Sequence, residues 1–395
     1  MDQGIFIHSI GTVSCAGASV PRLRQTLLGL APAEMAVTGR VVAGRALHYG
    51  LIPEKWLTKT PLAGDFATRT CRIILTALEA MPEIPLAVKR FGARRVAVVV
   101  GSSTSGIEET QTGFEACGTD EPLPAGFPIR RMNLAEPASF IAAQTGAAGP
   151  AYCICNVCAA GAMAIISAAR LLAEGYADAV ITGGIDAYSR LTTLGFSGLG
   201  ALSETECLPF SAERHGINLG EGGALLLLTR ESAPIRLCGW GETSDAHHIS
   251  SPDPTGDGAA RAMREALTRA RLAPGDIDLI LAHGTATVQN DAMEAKAVQT
   301  VFGRETPVAG LKHLTGHTLA GAGALQAAIA AALLTDNPAG ALPRAFPGGA
   351  PDETLPAQIL RAPRELGRPL RAILANAFAF GGSNASLIFT GGEHA

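Results

Sequence analysis

Two kinds of hydrophobic pattern alternate along the chain, and the most informative pair lies between residues 151 and 175. Residues 151–157 (AYCICNV) form a short apolar run that predicts a buried strand. The residues that follow are apolar on nearly every side, rich in alanine and free of proline, a pattern typical of a fully buried helix. Cys158 therefore stands at a sharp junction between a strand and a helix.

Further strands and helices are predicted on both sides of this junction. In the first half of the chain, strands are predicted over residues 5–13, 95–100 and 179–183, and helices over residues 21–30 and 65–80. Residues 31–65 mix glycine, proline and both signs of charge, and we interpret them as surface connections. The segment 101–106 (GSSTSG) lacks the Gly-Lys-Ser/Thr ending of a phosphate-binding loop.

The second half of the chain repeats this order of patterns. Strand patterns recur at residues 235–242, 277–283, 372–377 and 385–389, and a second alanine-rich helix is predicted within residues 316–334. Buried strands that alternate with helices favour an α/β architecture, and the repetition indicates an internal duplication. We expect two matching halves, residues 1–234 and 235–395, that form a five-layer αβαβα sandwich with the alanine-rich helices face to face at a pseudo-twofold axis.

Composition narrows the classes of function. The 395 residues are 47% hydrophobic and carry a formal net charge of −4, which indicates neither a nucleic-acid nor a membrane partner. No apolar run is long enough to span a membrane, and the first residues lack a basic start followed by a cleavable apolar stretch, so we expect a cytoplasmic protein. The eight cysteines are unevenly spaced and several lie in apolar runs, which favours reduced thiols.

The position of Cys158 permits two interpretations. At the start of a helix, the unpaired N–H groups and the helix dipole stabilise a thiolate and any oxyanion beside it. The small residues Ala159, Ala160 and Gly161 leave room for a substrate, as in a nucleophile elbow. The alternative is an inert buried cysteine, which is the usual state of a free thiol in a core.

Metal binding by this cysteine-rich stretch is disfavoured. Cys153 and Cys155 precede Cys158 in a predicted strand, where alternate residues can face opposite sides of a sheet. No second Cys/His pair stands at the spacing of a zinc site. We therefore expect no metal.

Three further segments carry residue types suited to catalysis, at 283–287 (HGTAT), 312–317 (KHLTGH) and 376–384 (NAFAFGGSN). His283 ends a buried strand, the usual place for a catalytic group in an open α/β sheet, and His317 begins the second alanine-rich helix. Gly381 and Gly382 allow the backbone to turn closely around a ligand. A lone histidine is more often structural, but a thiol, two imidazoles and a glycine turn together indicate an active site.

These segments and their order resemble the β-ketoacyl-acyl-carrier-protein synthases of the elongating type, in the thiolase superfamily, over essentially the whole chain. The resemblance implies a thiolase-like fold and a catalytic triad of Cys158, His283 and His317. It also implies an oxyanion hole formed by the backbone N–H groups of Cys158 and Phe380.

The resemblance assigns roles to neighbouring residues as well. Lys312 matches the lysine of the family's K-x-x-x-G-H segment, and Glu294 matches its structural glutamate. Two roles stay open for Lys312, a part in catalysis or a structural ion pair with Glu294. The substrate tunnel and its gate are assigned to Phe196, Phe380, Gly381 and Gly382.

The implied reaction is a decarboxylative condensation. The Cys158 thiolate takes an acyl group from a thioester, and His283 and His317 stabilise the enolate that forms as a malonyl thioester loses CO2. No metal or organic cofactor is required. The implied partners are acyl carrier protein and a second ketosynthase subunit, in a homodimer or a heterodimer with a chain-length-factor-like chain, with no nucleic-acid or membrane partner.

Carrier proteins are acidic, whereas this chain is slightly acidic overall. Carrier-protein docking therefore requires a local patch of basic residues at the mouth of the substrate tunnel. Arg69 and Arg72 share one face of a predicted helix, and Arg130 and Arg131 form the other dense cationic pair. We assign docking to these two pairs. The alternative is that all four are ordinary surface arginines.

A narrower resemblance points to the ketosynthases of aryl polyene pigment clusters. It lies in GSSTSGIEE, GETSDAHHISSPDPTGDG and HGTATVQNDAMEA. One departure from the wider family surrounds the nucleophile, where hydroxyl residues are common but this chain has Asn156, Val157, Ala159 and Ala160. The departure leaves substrate preference open.

Two other functions are alternatives to an elongating β-ketoacyl synthase. A thiolase or priming synthase would use coenzyme A, but those relatives place their cysteines differently or replace one histidine with asparagine, which His317 argues against. A scaffold subunit without turnover is compatible with Ala159 and Ala160, whereas the intact triad argues against it.

Overall fold

The computed structural model describes residues 4–42, 44–117, 122–123, 125–346 and 348–391. Over those residues the strands are β1 (Ile5–Ser14), β2 (Ala36–Val42), β3 (Arg45–Gly50), β4 (Val96–Gly101), β5 (Ala151–Ile154), β6 (Ala179–Asp186), β7 (Leu219–Gly220), β8 (Gly222–Thr229), β9 (Ile235–Ser244), β10 (Leu279–Leu281), β11 (Val308–Ala309), β12 (Ala372–Phe378) and β13 (Ser383–Gly391). The helices are α1 (Val20–Leu27), α2 (Arg69–Glu79), α3 (Glu83–Phe91), α4 (Ile107–Cys117), α5 (Glu136–Thr145), α6 (Ala160–Ala173), α7 (Arg190–Gly198), α8 (Asp257–Ala270), α9 (Val288–Phe302), α10 (Lys312–Thr315) and α11 (Gly321–Leu334).

Two five-stranded arrangements with the same pattern are joined in the main sheet. One has the order β5-β4-β6-β8-β1 and the other β11-β10-β12-β13-β9, and antiparallel pairing of β1 with β9 links them. In each, the two outer pairs are parallel and the two inner pairs are antiparallel. The predicted α/β architecture of two pseudo-repeated halves is confirmed.

Helices α6 and α11 form the central layer between these two sets of strands. They pack on each other, and both contact strands from each set. Their glycines permit this approach: a Cβ added to Gly161 would lie 2.4 Å from the carbonyl oxygen of Ala320, and one added to Gly323 would lie 2.8 Å from Ala162. Small side chains are therefore required where the two helices meet.

The outer layers complete the sandwich. Helices α2, α3 and α5 cover the first set of strands. Helix α8 packs on β9 and β13, and α9 packs on α8. The predicted five-layer αβαβα order is thus confirmed. Within the described residues, no helix is long and apolar enough to cross a membrane.

Residues 31–65 differ from their interpretation as irregular surface connections. Strands β2 and β3 pair as an antiparallel hairpin, with Ala36 opposite Tyr49, and β7 joins β3 in a second, three-stranded sheet. The hairpin buries Leu47 and Tyr49 in a small core with Ile217 and Leu219. Glycine and charged residues within it obscure the alternation that identifies a strand.

Candidate active site

Cys158 occupies a short 3₁₀ turn, Val157–Ala159, that connects β5 to α6. Val157 has a φ of +47°, in the left-handed region that a β-branched residue rarely adopts. Such strain clusters at functional sites, where the surrounding structure must enforce it. The predicted sharp junction is present, although its helix begins two residues after Cys158.

Two imidazoles stand beside the thiol. The Nε2 atom of His317 lies 3.0 Å from the Sγ atom of Cys158, within hydrogen-bond distance. The ring of His283 meets that of His317 edge-on, with 5.3 Å between the ring centroids. All three side chains are buried and line one cavity of about 410 Å³. The three residues predicted as a triad are therefore brought together.

Backbone contacts hold each histidine in place. Glu294 on α9 accepts hydrogen bonds from the N–H groups of His283 and Gly284, each at 2.8 Å. The N–H of His317 donates to the carbonyl oxygen of Asn218 at 2.7 Å. Each catalytic loop is thereby fixed by residues distant in the chain.

Lys312 contacts the site through the backbone of His283. Its Nζ atom donates to the carbonyl oxygen of His283, and no ion pair between Lys312 and Glu294 occurs among the described residues. Glu294 is instead held by the Nδ2 atom of Asn376 at 3.2 Å, and Asn376 in turn accepts from Ser386 at 2.8 Å. The charge of Glu294 nevertheless acts on Lys312 and opposes the lowering of its pKa by burial. Both roles of Lys312, in catalysis and as a structural partner of Glu294, stay predictions.

Burial sets the protonation states. It lowers the pKa of His283 and of His317 well below the usual value, and the nearby charge of Lys312 acts in the same direction. Burial raises the pKa of Cys158 to about 12, although Lys312 opposes the rise, and it raises the pKa of Glu294 to about 7. The free protein thus holds a neutral thiol beside two neutral imidazoles. Burial thus opposes the stabilisation of a Cys158 thiolate that the helix end and Lys312 provide.

Alkylation of Cys158 by iodoacetamide should therefore accelerate through the whole range from pH 7 to pH 10. With a pKa raised to about 12, the thiolate fraction grows about tenfold for each pH unit, because only the thiolate reacts. The rate is measured by mass spectrometry of the peptide that contains Cys158. A plateau below pH 8 would contradict a neutral resting thiol.

Phe196 and Phe380 form part of the cavity wall, as predicted. Their ring centroids lie 5.7 Å apart. The backbone turns sharply after Phe380, where Gly381 and Gly382 have φ values of +85° and +81°, conformations that favour glycine. The N–H of Phe380 donates to no acceptor in the part of the chain that the structure describes. It is thus available for the predicted oxyanion hole.

Polar residues near the outer part of the cavity were not predicted as site residues. They come from three loops, the start of α9 and the start of β13, and they are His215, Ser250, Thr285, Thr287, Asn290 and Asn384. All of them except His215 lie within segments that the sequence analysis singled out, which was the available signal. Over the described residues, no group of three or more His, Cys, Asp and Glu side chains is arranged to hold a metal.

Both arginines of the first predicted docking pair, Arg69 and Arg72, form ion pairs within the protein. Arg69 forms a two-point ion pair with Glu221, whose side chain is fully buried, and it also contacts Glu54. Arg72 shares Glu54 and donates to the carbonyl oxygen of Thr58. Glu221 carries further hydrogen bonds from two backbone amides, so Arg69 compensates a buried charge that organises the local chain.

The second predicted pair is more accessible. The Arg130 side chain is 71% exposed and lies 3.4 Å from Glu136 and 3.9 Å from Asp65. Arg131 donates to the carbonyl oxygen of Gly64 at 2.9 Å. Docking by any of the four arginines stays a prediction, and Arg130 presents the most available charge among them.

Replacing Arg69 with alanine should lower the free energy of unfolding by about 3 kcal/mol, because Glu221 would remain buried without its cation. The matched control is Arg72→Ala, which removes a partner of the exposed Glu54 and should cost less than about 1 kcal/mol. Urea unfolding of both variants gives the comparison. Equal losses would show that the Arg69–Glu221 pair has no special structural role.

Comparison with known proteins identifies the family. The β-ketoacyl synthase N-terminal domain matches residues 59–233, and the β-ketoacyl synthase C-terminal domain matches residues 235–340. The 3-oxoacyl-[acyl-carrier-protein] synthase 2 of Staphylococcus aureus (strain COL) is 32% identical over 80% of each chain. The enzyme of the same name from Coxiella burnetii (strain RSA 493 / Nine Mile phase I) is 30% identical over 98% of each chain.

Solved structures agree with this result. A chain from the complex of a ketosynthase (ApeO) with its chain length factor (ApeC) from Xenorhabdus doucetiae has a TM-score of 0.89 and 36% identity, covering 99% of this chain and 98% of that chain. The ishigamide ketosynthase/chain length factor gives a TM-score of 0.87 and 26% identity, covering 98% and 99%. The expected thiolase-like fold is confirmed, and the protein belongs to the β-ketoacyl synthase family.

Proposed function

We propose that the chain condenses malonyl-acyl-carrier protein, with loss of CO2, onto an acyl group carried by Cys158. The observation that carries this proposal is the 3.0 Å contact between Cys158 and His317, with His283 in the same buried cavity. A thiol and two imidazoles in these positions supply a nucleophile and two hydrogen-bond donors.

The first step is acylation of Cys158. The Nε2 atom of His317 accepts the thiol proton while the sulfur attacks the acyl thioester carbonyl. The backbone N–H groups of Cys158 and Phe380 stabilise the tetrahedral oxyanion. The intermediate collapses, the carbon–sulfur bond to the carrier arm breaks, and the departing thiolate takes the proton from His317.

The second step uses the histidines as neutral donors. Each imidazole is neutral and retains one N–H, because burial lowers the pKa of both. For His317 this step requires the tautomer with the proton on Nε2, so its proton moves from Nδ1 to Nε2 between the two steps. Both donate to the thioester carbonyl of the malonyl group, which becomes an enolate oxygen as the carbon–carbon bond to CO2 breaks. The carbanion attacks the acyl–Cys158 carbonyl, and the thiolate of Cys158 leaves. One proton taken up from solvent then restores the thiol.

Features of the protein surface support a second ketosynthase-like subunit as a partner. Strand β5 lies at the end of the main sheet, and Val157, next to the nucleophile, is 40% exposed. Leu191 and Leu194 on α7 are also exposed. An open sheet edge and exposed apolar side chains favour burial by another subunit, either a second copy or a chain-length-factor-like chain. The related ApeO ketosynthase was solved in complex with a chain length factor.

The finer assignments follow from the sequence. The motifs resembling aryl polyene ketosynthases support a role in polyene elongation, with an aryl or aliphatic primer. All eight cysteines are free thiols, which supports a place in the reducing cytoplasm. The scaffold alternative is disfavoured because the Cys158–His317 contact has no use in an inactive subunit.

Purified protein tests the proposal directly, alone and mixed with the chain-length-factor-like subunit. Acyl-carrier protein should transfer its acyl group to Cys158, and malonyl-carrier protein should then give CO2 and a β-ketoacyl product in equal amounts. Mass spectrometry follows both proteins. Acyl transfer from coenzyme A with none from carrier protein would overturn the assignment.

Reversing the charge at Arg130, in the variant Arg130→Glu, should raise the KM for acyl-carrier protein several-fold and leave turnover of a short pantetheine thioester unchanged. The exposed guanidinium attracts an acidic carrier, whereas it touches no residue of the triad. Steady-state kinetics of Arg130→Glu are compared with those of Arg90→Glu, a side chain that is similarly exposed and paired with Glu231. If both substrates suffer alike, Arg130 is structural.

A further inference from the structure

Asp186, the last residue of β6, is a fully buried carboxylate with no basic partner. Its exposed fraction is 0%, and none of the described lysine, arginine or histidine side chains forms an ion pair with it. A buried charge of this kind is costly unless hydrogen bonds replace its hydration. Its surroundings therefore call for a physical explanation.

Six donors surround the carboxylate. Five come from the loop after β4, and the sixth comes from the start of α11. They are the hydroxyls of Ser102, Ser103 and Thr104, the backbone N–H groups of Ser103 and Thr104, and the backbone N–H of Ala320. Burial raises the pKa of Asp186, and the hydrogen bonds from Ser103, Thr104 and Ala320 oppose the rise. Because the three N–H groups can only donate, the arrangement fits an ionised Asp186.

This contact set explains the small polar segment 101–106. Its backbone and hydroxyl groups form a concave anion site, as in phosphate-binding loops, but the anion is the chain's own carboxylate. The segment is therefore neither a ligand cradle nor a passive connection. It holds the end of β6 at a fixed position behind the nucleophile.

The backbone of Ala320 joins both catalytic loops. Its N–H donates to Asp186 at 2.9 Å, and its carbonyl oxygen accepts the N–H of Gly161 at 3.0 Å. Gly161 follows Cys158 by three residues, and Ala320 follows His317 by three residues. A single residue thus links the start of the helix behind the thiol to the start of the helix behind the imidazole.

We propose that Asp186 is a positioning residue, which holds the Cys158 sulfur close to the His317 imidazole through the backbone of Ala320. In Asp186→Asn an amide NH2 group replaces one of the two carboxylate oxygens, so donors that now bind Asp186 lose an acceptor and this helix start is free to shift. A displacement of about 1 Å would break the 3.0 Å contact between Cys158 and His317. Only the kinetic test of this proposal, the rate of acylation, rests on the proposed function.

Asp186 also belongs to the electrostatic environment of the thiol. The titratable and charged groups that face Cys158 are His317, His283, Lys312 and Asp186. The negative charge of Asp186 adds to burial in raising the pKa of Cys158, while Lys312 lowers it. Removing the carboxylate therefore changes both the geometry and the charge at the site.

A double-mutant cycle separates positioning from general destabilisation. Asp186→Asn should slow acylation of Cys158 by an acyl-pantetheine thioester at least tenfold in the otherwise unchanged enzyme. In the His317→Ala background the same substitution should slow it less than twofold, because the imidazole that Asp186 positions is absent. An equal loss in both backgrounds overturns the proposal.

Control variants keep the test decisive. Asp178→Asn removes a carboxylate just before β6, where it is paired with Arg95, and should leave acylation within twofold. Ser103→Ala deletes a single hydroxyl donor to Asp186 and should give a smaller loss of acylation with the same dependence on His317. If Asp186→Asn does not fold, the double-mutant cycle of Ser103→Ala with His317→Ala tests the proposal in its place.

A crystal structure gives a readout that is independent of the reaction. In Asp186→Asn, the distance from Cys158 Sγ to His317 Nε2 should exceed 3.5 Å, and in Asp178→Asn it should stay near 3.0 Å. An unchanged distance in Asp186→Asn overturns the proposal. If the unmodified protein accepts no acyl group, the proposed function fails, while this distance still decides the role of Asp186.

Discussion

Replacing Cys158 with alanine should abolish acyl transfer and condensation and leave the fold intact. The substitution removes only a sulfur atom from a turn already followed by Ala159 and Ala160, so the packing changes little. Mass spectrometry should detect no acyl-enzyme, and no β-ketoacyl product should form. Condensation by Cys158→Ala would show that another residue is the nucleophile.

The matched variant Cys158→Gln should retain decarboxylation without condensation. Its side-chain amide resembles the carbonyl of an acyl thioester, and the two histidines that stabilise the enolate remain in place. Release of CO2 from malonyl-carrier protein is the measurement, with Cys158→Ala as the comparison. Equal loss of CO2 release in both variants would argue against separate roles for the thiol and the imidazoles.

Replacing either histidine with alanine should slow decarboxylation about 10²–10³-fold, the usual effect of losing one donor to a developing oxyanion. Acylation should survive at some level in both variants, because the thiol and the backbone N–H groups remain. The loss of acylation should be larger for His317→Ala, since this imidazole contacts the sulfur. Single-turnover assays measure the two steps separately.

His48→Ala provides the control for these variants, because His48 lies on β3 and lines no part of the catalytic cavity. It should retain both activities. A His317→Ala enzyme that decarboxylates normally but cannot be acylated would reverse the assignment of the two steps.

The repeated alternation of buried strands and helices was predictable because each pattern is local. The run at 96–101 is apolar without interruption, the run at 372–378 is apolar except for Asn376, and the alanine-rich helices carry no charge over several turns. The hairpin at 36–50 was missed because it covers a small core with few apolar positions. The buried strand β8 was also missed, although its residues GGALLLLT are entirely buried.

The chemistry of the site was partly accessible from the sequence. The three triad residues stand at the ends of predicted elements, which identified them. The effect of burial on the pKa of Cys158 was not predicted, because helix-end stabilisation is visible locally while burial by distant segments is not. The partners of Arg69 and Asp186 were equally hidden, since Glu221 and Ala320 lie far along the chain.

The placement of β1 has a consequence for biosynthesis. Its two neighbours in the sheet are β8 and β9, so the first strand to leave the ribosome finds no partner until residues 222–237 have been made. Until then its apolar positions are available for wrong pairings, and closing so long a loop slows folding. Complete assembly of the first set of strands is therefore a late event during synthesis.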